Sequence, residues 1–579
     1  MTSSNLSSHP VLPVRASDWH LFIPKLVTTL REGYSLQSLR ADAVSGLTVA
    51  IVALPLAMAI AVASGTTPDK GLVTAIVAGF LISALGGSRF QIGGPTAAFI
   101  VVVFNVIATQ GYDGLVIATT MAGLILIACG FARVGTWIKY IPEPVVTGFT
   151  SGIAILIVAS QLKDIFGLDA KAPAEFIDKL AALWAARETF TPAALGVSLG
   201  AVATIVALRR YAPRVPAFLV AVAGAAAATT LLHLPIETLG SRFGEIPAML
   251  PAPHLPHVSL ARIGELVPSA FTIAFLAGLE SLLSAMVADG MTGRRHRSNC
   301  ELVAQGVANC VSGLFGGMPA TGAIARTATN IRSGARSPLA GMFHALFVLV
   351  FMVAGSRLLG YIPLAALAAV LLVVAWNMSE YKRVAKLMRM PPGDRLLLVT
   401  TLLLTVFVDL SMAIEVGVVM ASILFMHRMA DAVAIKGGVT LIEDDVNDAA
   451  GFEERNAKQR EGLPRDVEVF QINGPLFFGV AGRFDEVLRA QIRMPRYFIL
   501  RMRDVPVMDS SGYESLHAFV ERCRAAKCLV ILTGVQSQPR LLLENMDALG
   551  PDQGLRVVDR FEDAFALIAA DREATARVP

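Results

Sequence analysis

Two stretches, ISALGGSRFQIGGPTAA (residues 82–98) and VSGLFGGMPATGAIARTA (311–328), echo each other across the chain. Counted from the glycine pairs, Gly86 plus ten is Thr96 and Gly316 plus ten is Arg326. A second echo lies upstream of each, AVASGTT (61–67) and MVADGMT (286–292). Both stretches carry glycine and proline at a depth in the chain where the composition is that of a membrane protein. The 579 residues are 54% hydrophobic and 16% charged, against about 25% charged in soluble proteins. The shortfall is local: residues 45–130 hold only Asp69, Lys70, Arg89 and Asp113 as charges.

Apolar runs lie near 45–65, 70–86, 96–108, 114–132, 143–162, 192–208, 216–233, 267–288, 302–315, 324–331, 339–356, 361–377, 396–410 and 412–427. A full span takes about 20 residues, so the third and tenth runs are short, and both follow glycine- and proline-rich segments. These runs predict an α-helical polytopic membrane protein of fourteen elements. Basic residues set its orientation. Arg15, Lys25, Arg31 and Arg40 precede the first run, and Arg133 and Lys139 follow the fourth. Arg209, Arg210 and Arg214 follow the sixth, and Arg294, Arg295 and Arg297 the eighth. Arg332 and Arg336 follow the tenth; Lys382, Arg383, Lys386 and Arg389 follow the twelfth. Every strongly basic loop therefore comes after an even-numbered element, which places both termini in the cytoplasm. The start, MTSSNLSSHPVLPV, lacks the charged beginning and apolar core of a cleaved leader.

Seven elements per repeat is an odd number, so the second copy is inverted in the membrane. Inverted repeats with broken helices are a transporter signature, with the binding site near the bilayer midplane. The segment FQIGGP (90–95) would climb from the cytoplasmic side as extended chain to a short helix near Thr96. The segment GGMPATGA (316–323) would descend from outside to a short helix near Ala325–Arg326. Irregular backbone at that depth is tolerated only inside protein or beside water. Two helix N-termini facing one point, each with free N–H groups and about half a positive charge, make an anion site. Arg326 at mid-membrane is costly unless it faces a cavity, a carboxylate or an anion.

One carboxylate is out of place in the run AFLAGLESLLSAMVADG (274–290). Glu280 and Ser284 stand four apart, on one helix face. Three roles compete for Glu280. It neutralises Arg326, it takes up a proton when an anion binds, or it holds sodium with Ser284 and backbone carbonyls. Proton coupling is the preferred expectation, because Arg326 already supplies fixed positive charge. The remaining expected lining, Leu56, Ile60, Thr96, Ala97, Ala98, Ala325 and Thr327, is small or apolar. That leaves selectivity among bicarbonate, sulfate and a small dicarboxylate open.

At these residues the chain resembles the sulfate permease (SulP) family of anion transporters, whose animal members include prestin. The matching stretches are GGPTAAF (93–99), TGFTSGIAILIVASQL (147–162), LESLLSAMVADGMTG (279–293), ELVAQGVANCVSGLFGG (301–317) and ARTATN (325–330). HALFVL (344–349) and IPLAALAAVLL (362–372) extend the likeness. The resemblance implies a seven-plus-seven fold with a core and a gate domain, an elevator-type movement of one against the other, a homodimer, and a cytoplasmic STAS domain. By position it implies that Thr96, Ala97 and Ala98 start the third helix and Ala325, Arg326 and Thr327 the tenth. It also places Glu280 and Ser284 at coupling positions of the eighth. Two departures stand out. Pro55–Leu56 replaces a Pro-Gln pair found in many members. Glu280, Ser284 and Arg326 replace the Asp and Thr of sodium-coupled bicarbonate members, which lack the arginine.

From Asp431 onward the composition is that of a soluble domain. Residues 431–464 read as linker, and 429–464 as the boundary between a transport domain (45–428, after an N-terminal segment 1–44) and a STAS domain (465–573). Runs DVEVFQI (466–472), YFILRMRDV (497–505) and CLVILTGV (528–535) predict strands, and 511–526 and 560–570 predict helices. This is a small α/β domain. VPVMDSSGYESL (505–516) resembles the strand-to-helix turn of anti-sigma-factor antagonists, in which the first serine of such a DSSG is phosphorylated; here that serine is Ser510. Helix capping by Asp509 and Ser510 is the structural alternative.

No ATP-binding or catalytic motif is present, so an enzyme is not expected, and neither are a cofactor beyond H+ or Na+, a nucleic-acid partner or a metal site. His254 and His257 read as loop residues. Five cysteines without metal spacing argue against structural disulfides, and the two in the soluble tail, Cys523 and Cys528, read as reduced thiols in a cytosolic compartment. The expected protein sits in a bacterial inner membrane, with the bilayer, a small anion and a second copy as partners. An uncoupled exchanger or channel, a membrane anion sensor with STAS as output, and a nucleobase permease remain as rivals, the last disfavoured by Arg326.

Overall fold

The computed structural model describes residues 21–136, 142–170, 173, 175–213, 215–245, 247–254, 260–408, 410–432, 434–437, 466–477, 495–548 and 554–576. Outside them lie residues 1–20, Lys139, Arg214, His257 and most of the expected linker. The chain folds as two compact units, Met1–Val419 and Met420–Pro579.

The first unit is helical. In chain order its helices are α1 (Lys25–Arg31), α2 (Leu36–Ala63), α3 (Pro68–Leu85), α4 (Ile100–Phe131), α5 (Glu143–Phe166), α6 (Phe176–Ala185), α7 (Pro192–Tyr211), α8 (Ala217–Leu231), α9 (Leu239–Phe243), α10 (Leu260–Thr292), α11 (Ser298–Leu314), α12 (Ile324–Arg332), α13 (Leu339–Leu359), α14 (Leu364–Met378), α15 (Tyr381–Leu387), α16 (Pro392–Phe407) and α17 (Leu410–Ala432). Among the described residues, nine helices are long and apolar enough to cross a membrane. Local chemistry sets several ends. The Ser35 side chain accepts from Ser38 N to cap α2. Pro68 opens α3, with Asp69 in the first turn, where a missing N–H costs nothing and a carboxylate opposes the helix dipole.

Every apolar run falls on a helix, with differences that have physical reasons. The runs 96–108 and 114–132 are not separated by a loop. The chain is helical from Ala97 to Phe131 except at Gly111, whose φ of 69° and ψ of −178° break the ladder at a single residue. Hydropathy cannot see a one-residue break that glycine makes at low cost. Helix α2 starts nine residues before its apolar run. The polar Asp42 in that extension is fully buried, accepting from Tyr34 Oη at 2.6 Å and from Arg336 N at 2.6 Å. Helix α10 begins before Pro268 and runs through it.

Two packing groups emerge. Helices α2, α3 and α13 pack on one another, and α4 packs on α10 and α11. Separately, α5 packs on α14 and α16, and α7 on α8 and α14. Small residues let these helices approach closely, as expected where lipid offers no hydrophobic drive between them. A Cβ at Gly306 would come within 2.5 Å of Gly123 O, and one at Gly148 within 2.6 Å of Leu398 O. The two extended arms meet as a minimal ribbon, β1 (Gly93–Gly94) against β2 (Thr321–Gly322), antiparallel, with Gly93 opposite Gly322 and Gly94 opposite Thr321.

The second unit carries a five-stranded sheet: β3 (Ala434–Gly437), β4 (Val467–Asn473), β5 (Tyr497–Asp504), β6 (Leu529–Thr533) and β7 (Leu555–Val558), in that spatial order. Strand β3 is antiparallel to β4; the other pairs are parallel. Helices Ser510–Ala525, Ser537–Asn545 and Phe561–Ala576 complete it. Strand β3 lies inside the stretch expected as linker. Four residues at a sheet edge take their conformation from pairing rather than from their own pattern.

Candidate functional site

The ribbon brings the starts of two short helical segments together. Thr96 is the extended residue before the 3-10 turn Ala97–Phe99, which leads into α4. Ala323 is the extended residue before α12. The first N–H groups of each segment have no partner within it. Helix α12 therefore starts at Ile324, one to two residues before the expected Ala325–Arg326, and Pro95 stands one residue before the extended Thr96. The Pro95 carbonyl accepts from Arg326 Nη2 at 3.0 Å.

Arg326 is 1% exposed. Its Nε and Nη1 have no hydrogen-bond partner. A Cβ on Gly94 would lie 2.5 Å from Nη1, and Gly94 has a φ of +150°, so both backbone conformation and space require glycine there. Glu280, in the middle of α10, does not pair with Arg326. The Glu280 Oε2 accepts from Thr96 Oγ1 at 2.8 Å. The neutralising pair, one of the three roles weighed for Glu280, is thus not formed; the carboxylate is held at the start of the opposite half-helix, leaving the guanidinium with two unused donor nitrogens.

Ser284 and Thr327 are both fully buried and bond to each other, Oγ to Oγ1, at 3.0 Å. Thr327 Oγ1 also accepts from Ile92 N at 3.1 Å. The Ser284 hydroxyl is therefore directed at α12 rather than shared with Glu280. Four residues is 400° of helix turn, and the extra 40° carries Ser284 away from the Glu280 side. Leu56, Ile60, Ala97 and Ala98 are buried in one continuous apolar cluster. Ala325 is exposed, because it stands on the side of α12 opposite the buried Arg326 and Thr327.

A second set of polar residues, which the sequence reading did not single out, holds the arms. Gln91 Nε2 donates to Ser281 Oγ at 2.7 Å, and Ser281 Oγ to Glu301 Oε1 at 3.2 Å. The other Glu301 oxygen accepts from Gly87 N at 2.9 Å and Ser88 N at 3.2 Å. Asn309 clamps Ala320 through both side-chain atoms, at 2.8 and 2.9 Å. Asn330 Nδ2 donates to Phe90 O at 2.9 Å, and Thr321 Oγ1 to Ala277 O at 2.7 Å. The signal was available: Glu301, Gln305 and Asn309 recur every four residues on one side of α11, a polar stripe that a membrane helix would otherwise avoid.

In the second unit Asp509 caps the helix Ser510–Ala525, its Oδ1 accepting from Gly512 N at 2.8 Å. Ser510 is the first residue of that helix and is exposed. In the first unit, the backbone N–H of His254 donates to Leu314 O at 2.8 Å.

With this geometry in place, the comparisons with known proteins are direct. The sulfate permease family matches residues 39–401, and the STAS domain matches residues 456–555. The chain is 38% identical over 515 residues to YvdB of Bacillus subtilis, which is named as a candidate sulfate transporter; the alignment covers 88% of this chain and 94% of that protein. It is 31% identical over 520 residues to the bicarbonate transporter BicA of a Picosynechococcus species, covering 88% and 91%. Among solved structures, the murine Slc26a9 anion transporter in its inward-facing state superposes with a TM-score of 0.85 at 18% identity, covering 98% of this chain and 97% of that one. The transmembrane domain of a cyanobacterial BicA superposes with a TM-score of 0.59 at 30% identity, covering 67% and 98%. The protein is a multi-pass membrane transporter with the helical fold of Slc26a9 and a STAS domain, and not an enzyme. It belongs to the sulfate permease family.

Proposed function

We propose that this chain is a secondary active transporter of a small anion of the sulfate, bicarbonate or C4-dicarboxylate class, with the anion held between the starts of the Ala97–Phe99 turn and α12. The observation that carries this reading is Arg326. It is a buried guanidinium with two unused donors, beside two half-helix N-termini and with no carboxylate paired to it. A buried cation in that state is costly unless an anion completes it. Backbone N–H groups at the two segment starts, from Ala97, Ala98 and Ala325, would face the anion beside Thr96, with Leu56 and Ile60 closing the apolar side, while Thr327, engaged with Ser284 and Ile92 N, would hold the start of α12 in place. The relatives named for sulfate and for bicarbonate support the substrate class.

Glu280 is the coupling group in this reading. Its hydrogen bond to Thr96 ties its charge to the anion-binding helix start, so that proton uptake and anion binding act on one another. Sodium held by Glu280 is the alternative, favoured by the bicarbonate-named relatives and weakened by the engagement of Ser284 with Thr327. The protein would work as a homodimer by elevator-type movement, in a bacterial inner membrane with both termini inside, fourteen elements in two inverted sets of seven, a transport domain over 45–428 and the STAS domain over 465–573. The test is uptake into proteoliposomes of labelled sulfate, bicarbonate and fumarate, with pH and sodium gradients varied separately. Accumulation against the anion's own gradient, driven by one of the two, supports the reading. Equilibration without accumulation indicates an exchanger or channel, and binding without uptake indicates a sensor.

A further inference from the structure

We propose that His344 is a positioning residue for Arg326, linked to its guanidinium through one bridging water on the α3 side of the glycine ribbon, and that this link sets anion affinity. The proposal rests on the anion reading above and adds a residue to it.

His344, on α13, is fully buried, and neither ring nitrogen has a hydrogen-bond partner. Its ring nitrogens stand with Arg326 Nε and Nη1 and Gln91 Oε1 among the buried polar atoms around the ribbon that lack a partner. Two measurements place them together. A Cβ at Gly79 would stand 3.1 Å from Gly93 O and 4.0 Å from His344 Cδ2. A Cβ at Gly94 would stand 2.5 Å from Arg326 Nη1 and 3.5 Å from the Ala75 Cα. Ala75 and Gly79 are one turn apart on the same side of α3. Imidazole and guanidinium therefore both lie near the α3 face that carries Ala75 and Gly79, in the neighbourhood of the consecutive ribbon residues Gly93 and Gly94.

The donor and acceptor inventory then closes. A guanidinium only donates, and a neutral imidazole has one accepting nitrogen. The two side chains make no direct hydrogen bond. A buried water is stable with two to four polar partners and serves nearly as well as a direct bond. Here it would accept from an Arg326 N–H, donate to the His344 acceptor nitrogen, and donate to the Gly93 carbonyl. The bridge would fix the guanidinium plane while its remaining N–H faces the anion. It also accounts for glycine at position 79, where a methyl group would press on the Gly93 carbonyl beside the ring.

The test uses the full chain in proteoliposomes with whichever of labelled sulfate, bicarbonate or fumarate is taken up fastest. His344→Leu is expected to raise KM about tenfold with little change in maximal rate, the loss typical of a hydrogen bond to a charged group. His344→Gln, which keeps an acceptor, is expected to restore most of that loss. Gly79→Ala, which intrudes on the water, is expected to raise KM without touching either polar residue, and it decides the matter should His344→Leu not fold. In an Arg326→Lys background the His344→Leu effect is expected to shrink, as for residues acting through one another. An unchanged KM in both His344→Leu and Gly79→Ala overturns the proposal. So does a glutamine variant as impaired as leucine, or an equal leucine effect in both backgrounds. If Arg326→Lys alone leaves KM at the wild-type value, the anion reading itself fails. If Arg326→Lys raises KM but His344→Leu does not, only the water bridge fails.

Discussion

Replacing Gly322 by alanine tests how tightly the glycine ribbon is packed against its neighbours. The new Cβ would fall inside the van der Waals envelope of Gln91 Nε2, 2.5 Å from its Cδ and 3.0 Å from its Cγ. The whole Gln91 side chain would have to move, not its tip alone. Gln91 is 4% exposed and donates to Ser281 Oγ at 2.7 Å. Breaking that buried bond costs about 1–3 kcal/mol, and crowding a packed interior costs about 1–3 kcal/mol more. The expected loss for Gly322→Ala is therefore about 2–6 kcal/mol. Reversible unfolding of the purified protein in mixed micelles, titrated with SDS, measures it. Gly264→Ala in α10 is the control, since a Cβ there meets nothing within 4 Å, and it should be neutral or stabilising by up to about 1 kcal/mol. Shortening the obstacle should relieve the strain, so Gln91→Ala and Gly322→Ala together should cost at least about 1 kcal/mol less than their sum. A Gly322→Ala protein as stable as wild type, or strict additivity with Gln91→Ala, would refute the reasoning.

Other outcomes follow from the same geometry. Arg326→Gln should raise the KM for anion uptake by about 10- to 100-fold, since it removes a charge that the site does not otherwise supply; an unchanged KM contradicts its role. Glu280→Gln should retain anion binding, read by isothermal titration with sulfate or bicarbonate, while uptake loses its dependence on pH or sodium; wild-type dependence in that variant ends the coupling role. Thr327→Val strips the acceptor from Ile92 N and the partner from Ser284, and should destabilise by about 1–3 kcal/mol, against about 1 kcal/mol or less for Ser284→Ala; the reverse order in the SDS titration contradicts the arrangement. Ser510→Asp places a negative charge at an exposed helix start and should stabilise the second unit by about 0.3–1 kcal/mol at low salt, where a phosphate would act in the same sense; a lower thermal midpoint counts against it.

The meeting of the two half-helix starts that frames the candidate site is legible in the sequence. Gly86 to Thr96 and Gly316 to Arg326 are equal intervals in two echoing stretches, and inversion of the second copy was enough to expect their meeting. The parts that escaped are those that hydropathy and spacing do not encode. Gly111 breaks a helix at one residue, inside a region whose composition does not change. Glu280 and Ser284 share a side of α10 to within the 40° by which four residues overrun a turn, and that overrun sends Ser284 to Thr327. Asn330 and His344 look like isolated polar residues in apolar runs. Asn330 takes its meaning from Phe90, 240 residues away in the chain, and His344 from its packing beside Gly79, which only the fold brings about.

The fastening of the arms has a mechanical consequence. Phe90 and Ile92, from the first repeat, are held by Asn330 and Thr327 of the second, while Met318 N of the second is held by Thr74 of the first at 2.7 Å. Neither half can slide by itself without stripping several of these ties at once. In the proposed transport cycle, a displacement that opened the site to one face of the bilayer would carry both stitched halves as a single cargo, and flexibility would belong at the border of that cargo instead of at its seam.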